Sequence, residues 1–256
     1  MNDLVSIIMP SYNTGKFIAE SIRSVLAQSY THWELIIVDD CSTDNTDAVV
    51  SEFADPRIRY LKNDRNSGAA VSRNYALREA KGRWIAFLDS DDLWTPDKLE
   101  KQLRFMREGG YAFSYTNYRE IDERSQPLGN RLSGPRKISK AGMYAYCWPG
   151  CLTVMYDTSI VGLIQIVPIG KNNDYAMWLQ VIRKASCHLL NEDLAFYRKR
   201  SGSISNHSYT KLIKWHYKLF READGRNPLD AAVHTAVNLA CGVWKKLYYL
   251  SQSENK

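Results

Sequence analysis

Residues 5 to 107 alternate between short apolar runs and amphipathic stretches, and this alternation limits the folds that are open to the chain. The apolar runs predict strands at Val5–Met9, Leu35–Val38, Ile58–Leu61 and Trp84–Leu88. The stretches between and after them predict helices at 17–26, 44–53, 69–80 and 96–107, the last with Thr95 as its N-cap. Four β-α units with near-continuous apolar strands predict an α/β fold with a mostly parallel sheet, covered by helices on both faces.

Polar residues follow all four predicted strands at the point where each strand ends. They form the groups Pro10–Asn13, Asp39–Asp40, Asn63–Asn66 and Asp89–Asp92. In an open α/β sheet, ligands bind beyond the carboxyl ends of the strands. The sequence therefore predicts the functional site at this edge of the sheet.

The last of these groups, Asp89-Ser90-Asp91-Asp92, places three carboxylates within four residues beside an apolar run. Such carboxylates repel one another and need a counter-charge once they leave water. A hard divalent cation with oxygen ligands, Mg²⁺ or Mn²⁺, supplies that charge and can itself hold a phosphate. A solvated acidic turn would explain the motif alone, but it does not explain the polar groups at the other strand ends.

Length and composition suit a globular protein with one large domain, or one domain with a modest appendage. The chain has 256 residues, and the N-terminal segment 1–4 lacks the basic region of a signal peptide. The weakly charged stretch 141–170 contains Asp157, Pro149 and Pro168, which argues against a membrane span. Five scattered cysteines without a C-x-x-C pair indicate reduced thiols in a cytoplasmic protein, and the scattered histidines argue against structural zinc.

The second half of the chain is less regular. The polar stretch 120–139 is predicted to form a long mobile loop, and 173–183 is predicted to form a helix. Two further helices are predicted at 210–223 and 228–250. These features predict a catalytic domain at 1–207, with a nucleotide-binding half to about residue 110 and an acceptor half at 111–207, and a helical C-terminal extension at 208–256.

The net charge of +6 is concentrated late in the chain, where Lys and Arg alternate with Trp, Tyr and Leu. This pattern suits an anionic membrane surface. Packing of the two helices on the catalytic domain or on a twin subunit explains it equally well, and so does a solvated basic face. Nucleic acid is not expected as a partner.

Three nucleotide-binding alternatives lack their defining residues. No G-x-G-x-x-G follows the first strand, which excludes the phosphate turn of a dinucleotide-binding domain. Gly15-Lys16 is followed by Phe17 and lacks the earlier glycine of a P-loop. The Asp89-x-Asp91 pair follows the fourth strand rather than the first, unlike the pair of aspartyl-phosphate phosphatases.

Taken together, the motifs resemble those of the family 2 glycosyltransferases, inverting enzymes of the GT-A fold that use nucleotide diphosphate sugars. The resemblance covers roughly residues 4 to 205 and follows the family's order of motifs. It is carried by Ser6–Asn13, Ile37–Asp44, Asn66–Gly68 with Arg73-Asn74, Asp89–Asp92, Asn173-Asp174 with Trp178, and Tyr197–Ser205.

The resemblance implies a role for each donor-side residue. Asp91 would bind the metal directly, with Asp89 nearby and facing the nucleotide ribose. The other residues implied in nucleotide-sugar binding are Pro10, Tyr12, Asn13, Asp39, Asp40, Gly68, Arg73, Ser90, Arg198 and Arg200. Among these, Tyr12 could instead be a core aromatic residue, Asp40 a structural cap and Arg73 an ordinary helix-surface residue. Arg198 and Arg200 are interpreted as clamps on the diphosphate, with a solvated basic loop as the alternative.

On the acceptor side, the resemblance implies that Asp174 is the general base, with Trp178 and Trp148 contacting the acceptor. The family more often has Glu-Asp where this chain has Asn173-Asp174, which puts in doubt a role for the first position in orienting the acceptor. A plain helix N-cap is the alternative role for Asp174.

The implied activity is transfer of a hexose from UDP-glucose or UDP-galactose, with Mn²⁺ or Mg²⁺, to a sugar carried on a polyprenyl diphosphate. The product would be a β linkage in an O-antigen or capsule repeat unit. The protein is expected in the cytoplasm, either free or on the inner face of the plasma membrane, and a homodimer is one expected state. The alternatives are a nucleotidyltransferase acting on sugar phosphates and a non-catalytic sugar-binding module.

Overall fold

The computed structural model describes residues 3–200, 209–248 and 250–252. Its strands are β1 Val5–Ser11, β2 Trp33–Asp39, β3 Ile58–Lys62, β4 Trp84–Phe87, β5 Leu93–Trp94, β6 Phe113–Ile121, β7 Pro127–Leu132, β8 Lys137–Ile138, β9 Met155–Asp157, β10 Cys187–Arg198 and β11 Leu250–Gln252. Its helices are α1 Ile18–Leu26, α2 Thr46–Ser51, α3 Ala69–Glu79, α4 Lys98–Gly109, α5 Lys140–Ala145, α6 Thr158–Val161, α7 Asn173–Val181, α8 Tyr209–Lys218 and α9 Pro228–Tyr248. A 3₁₀ turn spans Cys151–Thr153, and a π-helical stretch at Leu219–Ala223 follows α8.

Four parallel strands form the N-terminal half of the sheet in the order β3-β2-β1-β4. Every residue of β1 and β2 is buried, because helices cover both faces. Successive side chains enter different apolar clusters: Ile8 packs in a cluster that contains Leu77 of α3, whereas Ile7 packs in one that contains Ile22 of α1 and Leu103 of α4. The predicted α/β fold with a doubly covered sheet is confirmed for this half.

Strands from the second half extend the same sheet with mixed directions. β9 pairs antiparallel with both β4 and β6, and β7 pairs antiparallel with β6. β10 runs parallel to β6, with irregular register near Asp193. The parallel arrangement therefore holds for the first four strands, and the sheet as a whole is mixed.

The stretch from residue 120 to 139 was expected to be a long mobile loop, and this expectation is wrong. It contains β7 and β8, and β6 and β7 are joined by a turn in which Asp122 Oδ1 accepts hydrogen bonds from the backbone N–H groups of Arg124 and Gln126, both at 2.8 Å. The residues of β7 are exposed or half-buried. Such a polar strand lacks the apolar alternation from which strands are predicted.

Two boundaries in the first half also differ from the predicted ones. Pro10 lies within β1, opposite Val38, instead of ending the strand. Helix α4 begins at Lys98 after Asp97, and the Thr95 hydroxyl donates to Asp97 Oδ1 at 2.7 Å instead of capping the helix. Both shifts leave the polar groups at the predicted edge of the sheet.

The two predicted C-terminal helices are present as α8 and α9, and they pack on the rest of the protein. Asp224, between them, forms ion pairs with Arg183 and Arg226 and accepts a hydrogen bond from the Tyr144 hydroxyl at 2.8 Å. In the described part of the chain, no helix is both long enough and apolar enough to cross a bilayer. The proposed domain boundary after residue 207 falls in segment 201–208, outside the described residues, and stays a prediction.

Candidate active site

The loops after β1 and β2 are joined through Asn13. Its backbone lies in the left-handed region, with φ at 50°. Its N–H donates to Ser42 Oγ at 2.8 Å, and its Oδ1 accepts from the Thr43 N–H at 2.8 Å. Next to it, the Tyr12 side chain is 46% exposed and is available as a stacking surface. The structure thus places Tyr12 at the site edge and not in the core, with Pro10 buried beneath it.

Asp39 and Asp40, at the end of β2, are both buried and have different surroundings. The Asp39 carboxylate accepts hydrogen bonds from the N–H and the hydroxyl of Ser42. Asp39 is only 2% exposed, and its charge adds to the burial that raises the pKa of the neighbouring Tyr60.

Asp40 instead holds the loop that leads into α3. Its carboxylate accepts from the backbone N–H groups of Ser67 and Gly68, at 2.8 and 2.7 Å, and from Asn63 Nδ2 at 2.7 Å. Gly68 adopts a φ of 88°, which favours glycine. These contacts match the structural-cap alternative for Asp40, which affects the nucleotide site by positioning this loop.

Arg73 on α3 lies between the acidic motif and Asp174. Its guanidinium forms an ion pair with Asp89, and its side chain is only 10% exposed, so it is not a surface arginine. Burial lowers the pKa of Arg73, but the charges of Asp89 and Asp174 outweigh this and raise it overall. The Arg73 Nε–H is buried and has no hydrogen-bond partner among the described residues.

Asp174 lies in the first turn of α7 and is held in a poorly solvated environment. Burial raises its pKa and the nearby charge of Arg73 opposes this, with a net pKa above the usual aspartate value. The helix N-cap is Asn172, not Asp174. Asn173 supports the preceding loop by accepting a hydrogen bond from the Ile169 N–H at 3.1 Å.

The three carboxylates after β4 have separate environments. Asp89 pairs with Arg73, whereas Asp91 Oδ2 pairs with Arg200 Nε at 2.9 Å. Burial, and then the charge of Asp89, raise the pKa of Asp91.

Asp92 is buried and accepts a hydrogen bond from the Arg198 N–H at 2.8 Å, and Ser90 is buried between these residues.

The Asp89 and Asp91 side chains, 29% and 19% exposed, fit a divalent cation. Both supply hard oxygen ligands, and a cation would relieve the repulsion that raises the pKa of Asp91. Within the described residues, no group of three or more His, Cys, Asp or Glu side chains could hold a metal ion. A Mg²⁺ ion in a protein is commonly held by one or two carboxylates together with substrate phosphates and water.

Arg198 does not lie where a diphosphate could contact it. Its side chain is fully buried, and its guanidinium donates to the Asp91 carbonyl at 2.7 Å, to Ser125 Oγ at 2.8 Å and to Glu20 Oε2 at 2.8 Å. The predicted clamp role is therefore not supported for Arg198, which instead fixes the backbone of the acidic motif. Arg200, whose side chain is 29% exposed, remains at the site edge through its pairing with Asp91.

The two tryptophans predicted to contact the acceptor are both buried, and the structure does not support that role for either. Trp178 is fully buried in the core, where its ring packs edge-on against Phe87 at 5.2 Å and near Phe113 at 5.9 Å. Trp148 packs against Tyr146 and against Trp244 of α9 at 5.3 and 5.8 Å. Trp148 therefore anchors the C-terminal helix.

Asp174 opens into a cavity of about 320 Å³ that has aromatic and polar walls. Its lining residues are Tyr118, Tyr146, Cys147, Pro149, Gly150, Asn172, Asp174, Tyr175, His216, Asn238 and Lys245. His216, Asn238 and Lys245 come from α8 and α9, so the C-terminal helices form one wall. Sequence reasoning left membrane docking and packing on the catalytic domain open for these helices, and it missed their contribution to the cavity.

The sheet edge with its pair of carboxylates and the cavity with its buried aspartate point to an enzyme of the glycosyltransferase class. Residues 6–151 match the family described as Glycosyl transferase family 2. TuaG of Bacillus subtilis (strain 168), provisionally named a teichuronic acid biosynthesis glycosyltransferase, is 44% identical over 224 residues, which cover 86% of this chain and 88% of TuaG. The chain belongs to glycosyl transferase family 2 and is a glycosyltransferase.

A second relative is WfgD of Escherichia coli, a UDP-Glc:alpha-D-GlcNAc-diphosphoundecaprenol beta-1,3-glucosyltransferase. It is 41% identical over 211 residues, which cover 82% of each chain. The solved structure of Staphylococcus aureus TarS, residues 1–349, in complex with UDP-GlcNAc superposes with a TM-score of 0.73 at 21% identity, covering 93% of this chain and 71% of that one. This structural match confirms the predicted GT-A fold.

Proposed function

We propose that this enzyme transfers a hexose from UDP-glucose or UDP-galactose to a hydroxyl of a polyprenyl-diphosphate-linked sugar, with inversion to a β linkage. The product would be part of a surface polysaccharide repeat unit. The name of WfgD, a glucosyltransferase that uses UDP-Glc and a lipid-diphosphate acceptor, supports this substrate pair. The proposed location is the cytoplasmic face of the plasma membrane.

The observation that carries the proposal is the position of Arg73, which forms an ion pair with Asp89 and lies near enough to Asp174 for that charge to raise the pKa of Arg73. It links a carboxylate pair suited to a metal–diphosphate group with a carboxylate of raised pKa that opens into a separate cavity. An inverting transfer requires that the metal–diphosphate group and the basic carboxylate are held apart, because the base and the leaving group lie on opposite sides of the anomeric carbon. A non-catalytic sugar-binding module does not require this arrangement of carboxylates.

In the proposed mechanism, each carboxylate and arginine has a distinct task. A divalent cation bound by Asp91 with Asp89 would stabilise the charge of the departing diphosphate. Arg73 and Arg200 would pair with the diphosphate oxygens, Arg200 after release from Asp91. Tyr12 and Asp39 would hold the uracil, and Asp174 would take the proton of the acceptor hydroxyl as it attacks.

A transfer assay tests the proposed function. Purified protein is incubated with Mn²⁺, a radiolabelled UDP-hexose and GlcNAc joined through a diphosphate to a short lipid. We expect label to move to the acceptor from UDP-glucose or UDP-galactose, with a β linkage shown by the anomeric coupling constant in NMR. An α-linked product would contradict the inverting mechanism, and release of UMP or uridylyl transfer would indicate the nucleotidyltransferase alternative.

We further propose that α9 docks on an anionic membrane. Its outer side, the α9 apolar face, exposes apolar side chains at helical spacing. It comprises Leu229, Ala232, Val233, Ala236, Val237, Ala240, Val243 and Trp244, with Leu229 75% and Val243 63% exposed. Segment 209–248 carries seven Lys or Arg against three Asp or Glu, which favours anionic lipid over an apolar twin subunit.

The double variant Val233→Glu, Val237→Glu tests this docking. We expect it to lower binding to phosphatidylglycerol-containing vesicles by at least about 10-fold, because it places charges in a face that would enter the bilayer. Vesicle co-sedimentation measures the effect, and Ile160→Glu, at an apolar residue on α6 that is 57% exposed, is the matched control. Unchanged vesicle binding would refute the docking. A dimer that this double variant dissociates in analytical ultracentrifugation would assign the face to a twin subunit.

A further inference from the structure

The cavity beside Asp174 is lined by two chemically different groups. Asp174 contributes a carboxylate to its lining, and Lys245 of α9 contributes an ammonium group. Cys147 lines the same cavity, where burial raises the pKa of its thiol and the charges of Asp174 and Lys245 both act on it. The cavity can therefore hold a group that presents a hydroxyl to the carboxylate and an anion to the ammonium group.

Lys245 is held in the cavity wall by the groups around its side chain. Its Nζ donates to the Trp148 carbonyl at 3.2 Å and lies over the Tyr146 ring, 5.0 Å from the centroid. Within the described residues no carboxylate forms an ion pair with it. Burial lowers its pKa, which is the response of an ammonium group that has left water without a counter-ion.

His216 and Asn238 complete the polar wall contributed by the C-terminal helices. His216 Nδ1 lies 2.8 Å from the Leu212 carbonyl, which can only accept, so Nδ1 carries the hydrogen. Burial lowers the pKa of His216, which favours the neutral ring, and in that form Nε2 is a hydrogen-bond acceptor. Asn238 Nδ2 donates to the Tyr175 hydroxyl at 2.6 Å and fixes the wall.

The orientation of α9 connects this cavity with the membrane-facing side of the helix. At 100° per residue, Asn238 and Lys245 lie opposite the centre of the α9 apolar face. A helix docked by that face would place Lys245 and the cavity on its protein side, one helix diameter, ~10 Å, from the bilayer surface.

We propose that Lys245 binds the diphosphate of the lipid-linked acceptor and is a specificity-determining residue. His216 binds the acceptor sugar in the same cavity. This inference rests on the proposed function, because it concerns the acceptor of that reaction. It makes the C-terminal helices part of the acceptor site, with the acceptor sugar spanning from Lys245 to Asp174.

Paired acceptors that differ only in charge test the inference. One probe carries GlcNAc joined to a short lipid through a diphosphate, and the other carries the same sugar and lipid as a neutral glycoside. We expect the protein to prefer the diphosphate acceptor in kcat/KM by about 10- to 100-fold, the range for a charge-assisted contact. Lys245→Met, which keeps an unbranched apolar stem, should abolish this preference, and Lys245→Arg should retain most of it.

Two controls separate the possible outcomes. Lys184→Met, at an exposed lysine just after α7, should keep the preference, and the UDP affinity of Lys245→Met should match that of the unmodified protein. Equal use of both acceptors, or a preference that survives in Lys245→Met, would overturn the inference while leaving the proposed function intact. Absence of transfer to either acceptor, together with no binding of the diphosphate probe to the UDP-loaded protein, would overturn both.

Discussion

Asp174→Asn lowers kcat by about 10²- to 10⁴-fold, the range expected when a general base is lost, and leaves UDP affinity unchanged. Asparagine keeps the shape of the side chain but cannot take the proton of the acceptor hydroxyl. Transfer kinetics and UDP titration measure the two effects separately. Asp230→Asn is the matched control, because Asp230 also lies in the first turn of a helix but is exposed at the start of α9.

The pH dependence of kcat/KM is a second test of the Asp174→Asn variant. Burial raises the pKa of Asp174 in the folded protein, so the active carboxylate form is lost as pH falls through that raised value. With saturating metal, kcat/KM should therefore rise with pH through an acid limb above the ordinary aspartate pKa. That limb should be absent in Asp174→Asn. A limb that persists, or a variant that keeps more than about a tenth of kcat, would place the base elsewhere.

Asp91→Ala reduces kcat/KM for the UDP-sugar by about 10²- to 10³-fold, because it removes a ligand of the ion that stabilises the leaving diphosphate. Added Mn²⁺ should no longer strengthen UDP binding to this variant. Calorimetric titration of UDP at several Mn²⁺ concentrations measures this coupling.

Loss of a negative charge near the site could itself change nucleotide binding, so this variant needs a charge-matched control. Asp64→Ala removes an exposed carboxylate from the loop after β3, at the same edge of the sheet. We expect it to retain the Mn²⁺ dependence. Equal loss in both variants would indicate a general electrostatic effect, and full metal-dependent transfer by Asp91→Ala would show that the metal assignment is wrong.

The fold of the first half and its polar edge could be predicted because their signals are local. A continuous apolar run such as that around Ile7 and Ile36 predicts a strand covered on both sides, and the polar residues that follow it mark the ligand edge. Asp174 could be placed at the start of a helix because the signal for that helix is also local. The roles of these residues still depended on the family resemblance, because local pattern does not specify chemistry.

Arg198 and Trp178 could not be placed correctly, because their burial depends on contacts that are distant in sequence. Arg198 is enclosed by Glu20 and Ser125, which belong to α1 and to the turn between β6 and β7. Trp178 lies on a helix in which residues 175 to 179 are all buried. No amphipathic pattern there distinguishes a ligand-facing residue from a core residue.

The sequence indicated only part of the role of the C-terminal helices. The aromatic and basic residues were interpreted together, either as a membrane surface or as packing on the catalytic domain or a twin subunit, and Lys245 and Asn238 were not distinguished as lying on the side of α9 opposite its apolar face. Polar residues on an otherwise apolar helix, about 180° from its exposed stripe, were the signal for a buried polar wall. The cavity itself could be recognised only after α7 and α9 were placed together.

Calorimetric titration of UDP into the purified protein, with and without Mn²⁺ and with GDP for comparison, is the most direct test of the central claim. The carboxylates after β4 and the resemblance to UDP-sugar enzymes predict that UDP binds, that Mn²⁺ strengthens its binding, and that GDP binds more weakly. A preference for GDP would keep the fold and the reaction but contradict the UDP-hexose donor. Absence of binding by either nucleotide would contradict the assignment of this edge as a nucleotide-sugar site.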